Sequence, residues 1–317
     1  MHLYYTIEGT TNLHEEQKSG AYLDSKFWPN FQITLDNFKD LLIKNVDHKN
    51  PFSLLRIGHS EMTALYIALD INKTVGNFIG RQSKNCKIPK NTLIKMFDSI
   101  VKTDYISTQI GYDFKKWINE VMKFVDYYKT NQSIPTLFDD TQKIINHPFP
   151  NKDIKDLIDI PLDIIYGLIA NKWFFKTFKN RIGLIGAEEK LNVIRELIKY
   201  KEYQDFLGTD YFTDYIKIPQ KAALDSDKLE NEIIKGIKES SCDIFLIGAG
   251  VSKLKFFHLL KTVKDSVYID VGHGICMIAG YGDNTRPYCG TWINYRIKDL
   301  NVNIDNLSEG TTKIKYL

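Results

Sequence analysis

Residues 181–186, Arg181-Ile182-Gly183-Leu184-Ile185-Gly186, decide the fold. An apolar run of strand length that ends in glycine reads as a strand covered on both faces, the kind found in parallel sheets. The spacing predicts a helix over 188–200 directly behind it. The unit then recurs, as a strand at 215–219 with a helix over 226–239 and a strand at 243–248 with a helix over 252–263. A further strand is expected at 266–270. Strands alternating with helices at this spacing are parallel βα units.

Working back toward the N-terminus, Pro51 precedes another short apolar strand at 53–57. Helices are expected over 61–69 and from Pro89 onward, a strand at 105–110 and an amphipathic helix over 114–128. Residues 31–45 carry apolar side chains at helical spacing, and 129–173 reads as helical pieces interrupted by Pro135, Pro148, Pro150 and Pro161. The expected class is α/β, a Rossmann-like, mostly parallel sheet flanked by helices, with a helical middle segment. Residues 1–50 are expected to form a strand and helix extension. The main domain then covers 51–317, with a helical insertion at about 112–175.

Composition narrows the function classes. The 317 residues carry 42 basic and 39 acidic side chains, a net charge of +3, which argues against a general nucleic-acid binder. The four cysteines, Cys86, Cys242, Cys276 and Cys289, form no CxxC pair, so a zinc ribbon is not expected and the usage is that of a reduced, cytoplasmic protein. The N-terminus lacks the apolar core of a signal peptide, and no stretch approaches the ~20 apolar residues that cross a bilayer. No Walker loop, HExxH motif or GxSxG elbow occurs.

In parallel sheets ligands bind beyond the carboxyl ends of the strands, so those ends are where chemistry is sought. The first offers Arg56, Gly58, His59, Ser60 and Glu61; later ones offer Gly186, then Lys221, then Gly248, Gly250 and Lys253, then Asp270, Gly272 and His273. Arginine binds phosphate oxygens in pairs and glycine lets backbone come close, so the set suits a phosphorylated ligand. His59 and Glu61, two residues apart, can share one divalent metal. The same stretch also reads as a strand running into a capped helix. Gly248-Ala249-Gly250 is a weak dinucleotide signal, lacking a third glycine. Arg286 with Tyr288 and Trp292 suits either a packed C-terminal element or a sugar or base stack.

Taken together, these strand ends resemble the GT-D class of glycosyltransferases. Arg56-Ile57-Gly58-His59-Ser60-Glu61 is in register with that family's Arg-x-Gly-Asp-Gly-Glu strand end. The segment 173–186, Ile218-Pro219-Gln220-Lys221-Ala222, Leu246-Ile247-Gly248-Ala249-Gly250 and Ile269-Asp270-Val271-Gly272-His273 match later family landmarks in the same order. The resemblance spans roughly 50–295 and implies transfer of a sugar from a nucleotide-diphosphate donor, a UDP-sugar first among them, to a glycan or glycosylated acceptor. It implies catalytic roles for Glu61, Asp270 and His273, with either Asp270 or His273 orienting the sugar or taking the acceptor proton, and donor binding by Arg56, Gly58, Gly186, Lys221, Gly248, Gly250 and Gly272. Arg81 is a further candidate cation for the diphosphate, and Tyr288 and Trp292 are candidate stacking rings for the donor or the acceptor. It implies a divalent metal, Mn²⁺ first, on His59 and Glu61. The family's first metal carboxylate is replaced here by His59, which puts metal use in question. A degenerate nucleotide- or glycan-binding module and an S-adenosylmethionine-dependent methyltransferase are the competing expectations. Neither a nucleic-acid partner nor a membrane span is expected, and a homodimer is left open.

Overall fold

The computed structural model describes residues 31–57, 61, 95–96, 98–100, 102–108, 165, 168–169, 172–219, 227–282, 292–300 and 314–317. Six strands build the main sheet: β1 (Phe52–Ile57), β2 (Tyr105–Thr108), β3 (Ile182–Ala187), β4 (Asp214–Ile218), β5 (Ile244–Gly248) and β6 (Val267–Asp270). Their order across the sheet is β2-β1-β6-β5-β3-β4, and every neighbouring pair is parallel. The expectation of an α/β chain with a mostly parallel sheet is met. All six residues of β3 are buried, as the apolar run at 182–187 requires of a strand covered on both faces.

The described helices are α1 (Phe31–Asp47), α2 (Lys172–Thr177), α3 (Glu188–Leu197), α4 (Lys201–Leu207), α5 (Asp227–Glu239), α6 (Lys253–Phe256), α7 (Leu260–Val263) and α8 (Gly274–Ile278). One continuous core joins the sheet residues Leu54, Leu184, Leu246 and Ile269 to Leu42 of α1, Phe174 of α2, Leu191 of α3 and Tyr203 of α4. The helix assigned from sequence to an N-terminal extension is therefore part of the central core. Within the middle segment, Ile165, Leu168 and Ile169 are helical and have no exposed surface.

Three details differ from the sequence reading. The helix expected over 188–200 ends at Leu197, and a separate helix, α4, follows and closes on Gly208 in the left-handed conformation (φ 88°). The helix expected over 252–263 is broken, with tight turns at Gly250–Ser252 and Phe257–Leu259 around α6 and ahead of α7. β7 (Asn294–Arg296) and β8 (Ile314–Tyr316) form a second, two-stranded parallel sheet. Each of these strands is only three residues long and β8 is exposed throughout, too little apolar pattern to register in a sequence.

Candidate functional site

The main sheet opens at its carboxyl edge between β1 and β6. Their ladder runs from Phe52–Val267 only to Leu54–Ile269, while β1 stays paired with β2 as far as Ile57–Thr108. The next strand in sequence after β1 is β2, its neighbour on one side, whereas after β6 the chain enters α8, whose Ile275 packs over β3 and β5 on the other. Strand ends at which the order of the sheet reverses are the usual place for ligands in an open parallel sheet.

The Asp270 carboxylate closes the gap where the backbone ladder stops. Its Oδ2 accepts the Arg56 backbone N–H at 3.0 Å, and its Oδ1 accepts the Gly272 N–H at 3.1 Å. Lys253, entering from the start of α6, places Nζ 2.5 Å from Asp270 Oδ2 and 2.9 Å from Glu61 Oε1. The side chains of Lys253 and Asp270 have no exposed surface and that of Glu61 only 3%. Three charged side chains from three separate elements thus meet out of water. An arrangement of this kind persists only when each charge is compensated nearby.

Arg56 supplies the fourth charge. Burial pushes the Glu61 carboxyl up, but the Lys253 ammonium and the Arg56 guanidinium outweigh it and hold the group down at about 2. Asp270 moves the other way: full burial raises it above the usual carboxylate range, against the pull of Lys253 and Arg56 and with the repulsion of Glu61 added.

Two glycines shape this corner. Gly250, in the left-handed region at φ +53°, turns the chain sharply after β5 and so delivers Lys253 back toward β6. Gly272 is also left-handed (φ +47°), and a Cβ there would stand 2.6 Å from Arg56 Cζ and Nη2. The guanidinium lies directly against the Gly272 backbone.

The other expected donor-binding glycines face a different neighbour. A Cβ on Gly248 would lie 2.5 Å from Cγ1 of Ile275, and one on Gly186 would lie 3.3 Å from Cγ2 of the same residue. Close packing of α8 on β3 and β5 accounts for glycine at both positions, and apolar side chain fills the space above them.

Of the residues singled out from sequence, Arg56, Glu61, Asp270 and Gly272 come together at the ends of β1 and β6. His273 follows at the start of α8, half-buried, with its carbonyl accepting the Met277 N–H at 3.1 Å. Trp292, expected as a candidate stacking ring, is instead a core residue with 2% exposure, its ring set edge-on to Phe206 at 4.9 Å. Gly58, His59, Arg81, Lys221 and Tyr288 lie outside the described residues.

Lys253 stands after a strand end in the sequence, and the structure adds it to the site by placing its ammonium beside Glu61 and Asp270. Its signal was its company: Val251, Leu254, Phe256 and Phe257 surround it in sequence, and a solvated lysine seldom sits in so apolar a run.

Among the described residues no group of three His, Cys, Asp or Glu side chains is placed to hold a metal. The chemistry of the donor set points the same way for the carboxylates present. Glu61 and Asp270 are bridged by an ammonium, which has three donors and no lone pair to offer a metal. As arranged, the pair does not fit a divalent cation. No protein-family model matches the chain, and no curated protein matches it.

Proposed function

We propose that the protein is a glycosyltransferase of the Rossmann-like GT-D type. It moves a sugar from a nucleotide-diphosphate donor, a UDP-sugar first among the candidates, to a hydroxyl of a glycan or glycosylated acceptor. The observation that carries the reading is the enclosed Arg56–Glu61–Lys253–Asp270 cluster at the parting carboxyl ends of β1 and β6. The order of the strand-end motifs in the sequence supports it independently of the geometry.

In the reaction the bond between the anomeric carbon and the diphosphate oxygen breaks, and the acceptor oxygen bonds to that carbon. The acceptor hydroxyl gives up its proton, and the nucleoside diphosphate leaves with the bonding electrons. Arg56 is suited to the charge that builds on the leaving group, because a guanidinium binds phosphate oxygens in pairs and is held here against Gly272. Asp270 has both oxygens engaged inside the protein, so it acts as a positioning residue that fixes Lys253 and the ends of β1 and β6. His273 is half-buried rather than enclosed, and in this reading it takes the acceptor proton.

The test is thermal stability of the purified chain with UDP, GDP, CDP and S-adenosylmethionine, followed by release of the diphosphate from the matching sugar nucleotide. A ligand that binds only the folded state raises the midpoint by mass action. The expected result is a shift with one diphosphate, and turnover that Glu61→Gln abolishes. Unchanged turnover in Glu61→Gln refutes the assignment of the site. Diphosphate binding with no transfer identifies a binding module, and a shift with S-adenosylmethionine alone replaces the reading with a methyltransferase.

A further inference from the structure

We propose that Lys253 is the resident cation of this site: its ammonium holds the place between Glu61 and Asp270 that a divalent metal would otherwise take, so that a nucleoside diphosphate binds without metal. The inference rests on the nucleotide-sugar reading for its ligand, but not for its geometry.

The ammonium sits 2.9 Å from Glu61 Oε1 and 2.5 Å from Asp270 Oδ2, with no exposed surface on its side chain. These are close ion-pair separations, with no room for an ion between the partners. The frame around it is built rather than adventitious. Asp270 is pinned by two backbone N–H groups, from Arg56 and from Gly272, so the carboxylate cannot swing away to make room. Lys253 is fixed from the other side by the left-handed turn at Gly250 and by Leu254 and Phe256, both buried.

A metal bound to both carboxylates would therefore have to expel the ammonium from between Glu61 and Asp270 into a dry interior, or sit beside it against like charge. Neither carboxylate is spare: Glu61 already answers Lys253 and Arg56, and Asp270 answers the same two cations. The resemblance puts a metal on His59 and Glu61; here Glu61 is already engaged by the Lys253 ammonium, which brings a fixed positive charge to the strand ends. Arg56 remains the cation beside Gly272 that meets the diphosphate.

Two measurements on the full chain decide the matter. The first is a Mn²⁺ titration followed by electron paramagnetic resonance, with no nucleotide present. Wild type is expected to show no Mn²⁺ site that depends on Glu61. A wild-type site that Glu61→Gln removes overturns the proposal. Lys253→Met, which leaves the two carboxylates facing each other without the ammonium between them, is expected to bind Mn²⁺ at least about tenfold more tightly than wild type, which converts to about 1.4 kcal/mol. A folded Lys253→Met with no gain also overturns it. If that variant does not fold, the wild-type comparison with Glu61→Gln still decides.

The second measurement is UDP affinity by calorimetry, in EDTA and in Mn²⁺. The expected constants agree within about twofold, whereas a gain of about tenfold or more with Mn²⁺ overturns metal independence. Failure of UDP to bind under both conditions refutes the nucleotide-sugar reading, while the nucleotide-free Mn²⁺ titration continues to decide the role of Lys253.

Discussion

Replacing Gly272 by alanine adds a single methyl group and removes no polar atom, yet it presses on the centre of the site. At φ +47° the backbone is in the left-handed region, where a Cβ costs about 1 kcal/mol. The new methyl would also stand 2.6 Å from Cζ and Nη2 of Arg56 and 3.0 Å from Nη1. Contacts that short must be relieved by movement. A guanidinium is the far end of a flexible side chain and would yield at little cost if it were free. Here its charge faces both Glu61 and Asp270, and moving it weakens the compensation of two buried carboxylates. The displacement is worth about 1–2 kcal/mol, within the range for overpacked sites, for a total of about 2–3 kcal/mol.

The assay is urea unfolding followed by far-UV circular dichroism, arranged as a double-mutant cycle with Arg56→Ala. Once the guanidinium is gone, only the backbone cost of Gly272→Ala remains, at about 1 kcal/mol. The two substitutions should therefore couple by about 1–2 kcal/mol. Additivity within about 0.5 kcal/mol refutes the claim that Arg56 is held against this glycine.

Stability should also depend on pH through Glu61. Its carboxyl lies at about 2 in the folded protein against an ordinary 4.5, so as pH falls the unfolded chain takes up the proton first. The contribution, about 3 kcal/mol, is complete above pH 4.5 and is lost as pH falls from there toward 2. Urea midpoints from pH 6 down to pH 3 should show wild type more stable than Glu61→Gln at the upper end, with the gap narrowing on acidification. A gap that stays constant over that interval contradicts the pairing with Lys253. Trp292→Phe tests the core placement of that ring. It should lower stability by about 1–2 kcal/mol through the space left beside Phe206, and leave nucleotide affinity unchanged. A nucleotide-binding defect without loss of stability would return Trp292 to the rim of the site.

Some of this protein is fixed by local sequence alone. The strands at 182–187 and 244–248 announce themselves because a strand buried on both faces must be apolar throughout, and α5 because its Leu229, Ile233 and Ile237 repeat at helical spacing and are buried. The alternation of such units specifies parallel pairing, since parallel strands need a crossover between them. The same logic brought Arg56, Glu61, Asp270 and Gly272 onto one list, as residues at strand ends.

What sequence could not decide was which strand ends are neighbours and which face ligand. That depends on the order β2-β1-β6-β5-β3-β4, set by long-range packing rather than by any local period. Position in the sheet separates Gly272, which lies against Arg56, from Gly248, which lies under Ile275, although both read alike as glycines after a strand. It also gives Lys253 its role. A lysine beside a turn ordinarily extends into water, and only the meeting of α6 with Glu61 and with the end of β6 encloses this one between two carboxylates. The interaction of charges distant in sequence depends on their separation and on the water excluded between them, and both quantities come into existence only when the chain has folded.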